Sequence, residues 1–154
     1  MMTRNRKELS AYAWLVPFAY GALLCAASLV WLVSGLPFDH VTYERIAGIQ
    51  WSKLIKSLDP RTTLMISAIV RELGGNTGIV AGILVMAVSA TGYRKKEKWA
   101  WFTLWLLPFH SALDIATVTC YGALTLHAAI WDIALITVTS AALIGPAKRF
   151  FLQR

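Results

Sequence analysis

Apolar residues run through this chain in four long blocks, at about residues 11–37, 73–93, 99–122 and 124–147. As helices rising 1.5 Å per residue, each is long enough for the roughly 30 Å hydrocarbon layer of a bilayer. The blocks account for most of the chain. Residues 1–154 are therefore expected to form a single integral membrane domain, an all-α four-helix transmembrane bundle. Composition points the same way, with 57% hydrophobic and only 15% charged residues where soluble domains run nearer a quarter charged. The opening "MMTRNRKELS" before an apolar run has the look of a signal peptide. Against that, the charge-free stretch from Leu9 to Phe38 is about twice the length of a signal peptide's apolar core, and a retained first helix is expected.

Residues 38–60, "FDHVTYERIAGIQWSKLIKSLDP", form the one sizeable polar interruption. At 100° per residue, Ala47, Trp51, Leu54, Ile55 and Leu58 share one arc while Lys53 and Lys56 face away. This pattern predicts a short amphipathic helix on the outer surface between spans one and two, packed over the helix ends or serving as a lid. Asp59-Pro60 then has the form of an N-cap followed by proline at the first helical position. A helix from there to Tyr93 would be about 50 Å long, so its first turns protrude or it bends at Gly74-Gly75. Glycines at 74, 78 and 82 make a face that another helix can approach closely, and an oligomer is one use for it. Gly92 stands at the helix end, where less contact is expected. In span three, Pro108 predicts a local break near His110.

Charge follows topology. Ten of the fifteen basic residues (Arg4, Arg6, Lys7, Arg94, Lys95, Lys96, Lys98, Lys148, Arg149 and Arg154) fall on one side of a four-crossing chain. Arg45, Lys53, Lys56, Arg61 and Arg71 fall on the other. The positive-inside rule places both termini in the cytoplasm, and the net charge of +7 serves orientation and anionic lipids as partners, not nucleic acid. Cys25 and Cys120 sit in separate spans and are expected to be small apolar core residues.

Ionisable groups inside spans cost roughly 2.5–3.5 kcal/mol or more at the centre and are functional candidates by default. Here they are Arg71, Glu72, His110, Asp114, His127 and Asp132, with Asn76 as a neutral helper and Trp131 beside His127. Counting along the spans puts His110 about 14 Å, Asp114 about 8 Å, His127 about 5 Å and Asp132 about 12 Å below the outer boundary. Arg71 and Glu72 lie near that boundary. In a tight hairpin of spans three and four, His110 would face Asp132 and Asp114 would face His127. However, His127 and Asp132 are about 140° apart around their helix, so both cannot point at span three. One arginine against three carboxyls leaves an imbalance that a bound proton or cation would relieve. The alternatives stay open: Arg71–Glu72 as an interfacial pair, His127 as a snorkelling boundary residue, and His110–Asp114 as an interhelical hydrogen bond. Span one carries Trp14 and Trp31 at belt positions and is expected to be a wall.

"RELGG" before the glycine-spaced helix, followed by "YRKKEKWAWFTLWLLPFHSALD", resembles the small four-helix membrane proteins of the DoxX-like type. The likeness covers roughly Arg71 to Thr117 and implies the four-helix fold without assigning an activity. The size and the acidic/His cluster are also similar, in architecture alone, to the sterol-isomerase and sigma-2-like membrane proteins. From the residues, the expected function is a membrane-embedded pocket that binds or isomerises a small lipophilic molecule by proton transfer. Asp114 would be the acid, His110 its partner base, Asp132 and Glu72 cation stabilisers, and Arg71 the charge balance, with Asn76, His127 and Trp131 contacting ligand. The competing expectation is a non-catalytic accessory subunit whose glycine face docks a partner. No cofactor is expected: His110 and His127 differ in depth by about 9 Å, too far for common ligation of a metal or haem.

Overall fold

A computed structural model of the chain describes residues 12–35 and 40–152. The expected basic residues Arg4, Arg6, Lys7 and Arg154 and the outer edges of span one lie outside these. The described residues are helical, without strands. In chain order the helices are α1 (Leu15–Ser34), α2 (His40–Ala47), α3 (Trp51–Ser57), α4 (Pro60–Tyr93), α5 (Lys98–Leu104), α6 (Leu106–Cys120), α7 (Leu126–Ile144) and α8 (Ala147–Phe151). Three of them, α1, α4 and α7, are long and apolar enough to cross a membrane. Their apolar residues are not hidden inside the chain, for only 17%, 17% and 11% of their most apolar windows are buried.

The long α4 starts as the sequence predicts. The Asp59 carboxylate accepts hydrogen bonds from the backbone N–H groups of Arg61 (3.0 Å) and Thr62 (3.1 Å) and from the Thr62 hydroxyl (2.5 Å), and Pro60 opens the helix. Those bonds, the Thr62 hydroxyl foremost, hold the Asp59 carboxyl below its ordinary acidity. Gly74 and Gly75 lie within a π-helical turn, Val70–Asn76, where the Thr77 N–H reaches back five residues to the Glu72 carbonyl. A second π-helical turn, Ser89–Tyr93, ends the helix.

The glycine face of α4 is covered by α1 of the same chain. A methyl added at Gly82 would fall 2.5 Å from Cys25 Sγ and 2.6 Å from the Gly21 carbonyl oxygen; methyls at Gly74, Gly75 and Gly78 would run into Trp31, Leu32 and Ser28. The Cys25 thiol approaches the Ile79 carbonyl at 3.4 Å. Two backbones this close leave no room for a further helix, so an oligomer would have to use another surface. Gly92 departs from expectation. It is buried, and a methyl there would meet Trp99 and Ala100 at 2.5 and 2.7 Å, so the turn into α5 is as tight as the α1–α4 seam.

Three further expectations are corrected. The amphipathic segment is two helices, because Gly48 adopts φ +66° and ends α2; Glu44 then accepts the Trp51 N–H at 2.8 Å and starts α3. The third apolar block is divided at Trp105, whose N–H turns to Phe102 at 3.2 Å. Pro108 lacks the N–H that would bond the carbonyl four residues back, at Leu104. Cys120 is exposed at the end of α6 and is no core residue.

The densest core lies at one end, called here the basic end because Arg94, Lys95, Lys96, Lys98, Lys148 and Arg149 surround it. Tyr93, Ala100, Leu104, Leu107, Leu143 and Phe150 are buried there, with Trp14, Trp101 and Trp105 packed around them. The last carbonyls of α7 have no partner within their own helix. Tyr93 Oη donates to the Ala142 carbonyl at 2.6 Å and Trp101 Nε1 to that of Leu143 at 2.9 Å, fixing α4 and α5 to the end of α7.

Candidate functional site

Away from the basic end, α4 packs little against α6, which instead pairs with α7 as an antiparallel hairpin. The gap between α4 and α6 is a lateral groove of about 860 Å³. One wall is α4, through Leu73, Thr77, Ala81, Leu84 and Val88; the other is α6, through Leu106, His110, Asp114, Thr117 and Tyr121. Leu106 to Tyr121 at 1.5 Å per residue makes the groove about 22 Å tall. Its back is α1, and at the far end Thr42, Tyr43 and Ile46 of α2 border it. There the Arg45 guanidinium donates to the Leu124 carbonyl at 3.3 Å, tying α2 to the α6–α7 turn.

The lining is mostly apolar. Among the described residues that line it, Asp114 is the only carboxylate and His110 the only imidazole. One helical turn apart, both are exposed to the groove rather than buried in the bundle. Neither makes a side-chain hydrogen bond among the described residues. Directly behind them Ser111 is almost wholly buried (1% exposed), at side-chain hydrogen-bonding reach of the Tyr20 hydroxyl on α1. The Asp114 and Asp132 carboxylates both lie in the electrostatic surroundings of that phenol. A thread of Tyr20, Ser111, Asp114 and Asp132 thus joins α1, α6 and α7, and Tyr20 itself reaches the groove.

The remaining residues singled out from sequence lie elsewhere. His127 bonds within its own helix, Nε2 accepting the Trp131 indole N–H at 3.0 Å, and both rings are exposed. Arg71 reaches past Gly35, a methyl on which would sit 3.2 Å from its Nε, so the cation lies at the C-terminal end of α1, where the helix dipole favours it. Glu72 and Asn76 are exposed on the π-helical turn, outside the groove lining. Arg71 is therefore not the counter-charge of Asp114. Among the described residues no three His, Cys, Asp or Glu side chains gather as a metal site.

Sequence reasoning missed Tyr20 and Ser111. The signal for Tyr20 was a phenol several residues inside span one, too deep for an interfacial belt. For Ser111 it was a small hydroxyl residue between His110 and Asp114, aimed at the neighbouring helix. Comparison with protein-family models, curated proteins and solved structures finds no match to this chain.

Proposed function

We propose that this chain is a four-crossing membrane protein, with the divided α5–α6 segment as the third crossing, and that its lateral groove takes up a small lipophilic molecule. The exposure of the apolar helices supports membrane embedding, since large apolar surface facing outward from the chain calls for an apolar surrounding. The excess of basic residues at the Arg94–Lys98 turn and around Lys148 supports a cytoplasmic basic end and cytoplasmic termini. The DoxX-like resemblance implies the same arrangement of crossings.

The groove is the observation that carries the proposal. Its volume is of the order of known ligand sites, its lining is apolar, and it offers a few convergent polar groups. An apolar molecule can enter sideways from the membrane between α4 and α6, without passing through water. His110 and Asp114 then stand one turn apart on the wall, a base and an acid within reach of one ligand atom. The Tyr20–Ser111 contact holds the rear of that wall in place. This arrangement suits binding of a lipophilic molecule through one polar group, and proton transfer to and from that group. The accessory-subunit alternative fills the groove with a partner's helix instead.

Photoaffinity labelling with an alkyl-diazirine lipid in native membranes tests the proposal. Labelling is expected to concentrate on Leu84, Leu106 and Val118, and Ala81→Trp, which fills the groove, is expected to abolish it there. Even labelling of the outward-facing Leu29 and Ile133, unchanged by Ala81→Trp, would reject a ligand groove. Protection of the groove by a co-purifying protein would favour the accessory subunit.

A further inference from the structure

At the opposite end of the molecule from the mouth of the groove lies a second, smaller cavity of about 280 Å³, lined by Trp14, Tyr93, Arg94, Lys96, Pro146, Arg149 and Phe150. Three of these side chains are cations, brought together from the turn after α4 and from α8, and no carboxylate lines the cavity among the described residues. The rest of the wall is aromatic and rigid. Tyr93 and Phe150 are buried with ring centroids 4.9 Å apart, and the Arg94 guanidinium lies over the Trp14 ring at 5.2 Å. Like charges that converge on one cavity repel each other unless an anion sits among them.

The backbone adds an independent observation. Lys96 has φ +63°, the only positive φ of a non-glycine residue among those described. It occupies the position that closes a helix in the Schellman pattern. The Glu97 N–H returns to the Gly92 carbonyl and the Lys96 N–H to that of Tyr93, each at 2.9 Å. Glycine is the usual residue there because it carries no Cβ to clash in the left-handed region. A lysine in this place bears backbone strain, and it sets an ammonium on the cavity wall. Strain retained beside a cavity is a mark of a functional position.

We infer that this cavity binds a phosphate-bearing anion, with Arg94 and Arg149 supplying the guanidinium forks that match phosphate oxygens and Lys96 a further point charge. It lies at the ends of the long apolar helices, the level of lipid headgroups if those helices span. The phosphate can therefore come from an anionic phospholipid or from a soluble phosphate ester.

Native mass spectrometry of the full chain separates these sources and tests the site. The protein is released from nanodiscs containing phosphatidylglycerol or phosphatidylcholine, and in parallel is titrated in detergent with inorganic phosphate and with glycerol phosphate. The expected result is preferential retention of one phosphatidylglycerol over phosphatidylcholine. Binding of glycerol phosphate without lipid preference would also support the site, and would assign it to a soluble ester. Lys96→Gly is the decisive variant, because it relieves the left-handed strain while removing the charge. Its melting temperature is expected to stay equal or rise, while anion affinity falls about tenfold, the worth of one charge-assisted contact. Arg149→Gln is expected to weaken binding by a similar factor. Equal retention of the two lipids with no phosphate ester bound would overturn the inference, as would Lys96→Gly and Arg149→Gln variants that both hold the anion as tightly as the parent.

Discussion

At the basic end, Tyr93 and Trp101 cap the last carbonyls of α7, aromatic rings interlock around Leu104 and Leu143, and Gly92 lets α4 turn directly against α5. Toward the far end the same helices separate, and the space between α4 and α6 is bordered by short α2 rather than filled. One end has its orphan backbone groups satisfied and its apolar surface buried within the chain. The other presents apolar walls with a lone imidazole and a lone carboxylate among the groove's described lining residues. Membrane helices do not gain from burying apolar surface against each other as soluble ones do, so the bundle needs specific contacts where it is to stay closed. It has them at one end, and where they are missing the helices stand apart. A clamp at one end holds an opening at the other.

The largest effect expected from breaking this contrast is at Gly92. Gly92→Leu should prevent α5 from seating against α4, with loss of monodisperse protein in detergent gel filtration, whereas Leu84→Ala on the groove wall should elute as the parent does. A well-folded Gly92→Leu protein would show that the basic end is not the clamp.

A smaller effect separates two tryptophans on neighbouring turns. The Trp101 N–H is bonded to Leu143, while the buried indole N–H groups of Trp105 and Trp31 have no partner. Trp101→Phe leaves a carbonyl unpaired and should cost roughly 1–3 kcal/mol; Trp105→Phe removes an orphan donor and should be close to neutral. Thermal unfolding of the two variants in one detergent compares them, and equal losses would contradict the assigned bond.

The smallest effect on folding is expected at Asp114. It makes no side-chain hydrogen bond among the described residues, so Asp114→Leu orphans no hydrogen-bond partner and should leave the melting temperature near that of the parent. Asp114→Asn should likewise fold, yet remove the pH dependence of lipid-probe labelling in the groove. An Asp114→Leu protein that unfolds would make this carboxylate structural, and an Asn variant with the parent's pH profile would remove it from the site.

Much of the architecture was legible because it rests on local rules. Asp59-Pro60 capped and opened α4, the glycine series fell on a close helix contact, and the break before Pro108 came where a missing N–H requires it. The site was less legible. Depth arithmetic correctly set His110 and Asp114 on one face but treated their neighbours by height alone, and height does not say which way a side chain points. His127 found its partner one turn along its own helix, in Trp131. Arg71 and Glu72 sit in a π-helical turn, where a wheel drawn at 3.6 residues per turn no longer gives their direction. Tyr20 and Ser111 carry no charge at neutral pH, and a search for charged groups in apolar helices passed over them. Gly92 was misjudged because its neighbours, Trp99 and Ala100, follow a reversal of the chain that no helical period describes.

The two π-helical turns of α4 bracket the groove-wall stretch Thr77–Val88. A π-helical turn amounts to one residue more than an α-helix needs, with its backbone bonds still closed. Deleting that residue would cost no regular hydrogen bond, yet it would turn everything beyond by about 100°. The side chains facing the groove are thus set by a count of residues upstream as much as by their own identities. In this helix, a single-codon insertion or deletion acts as a change of lock rather than a change of length.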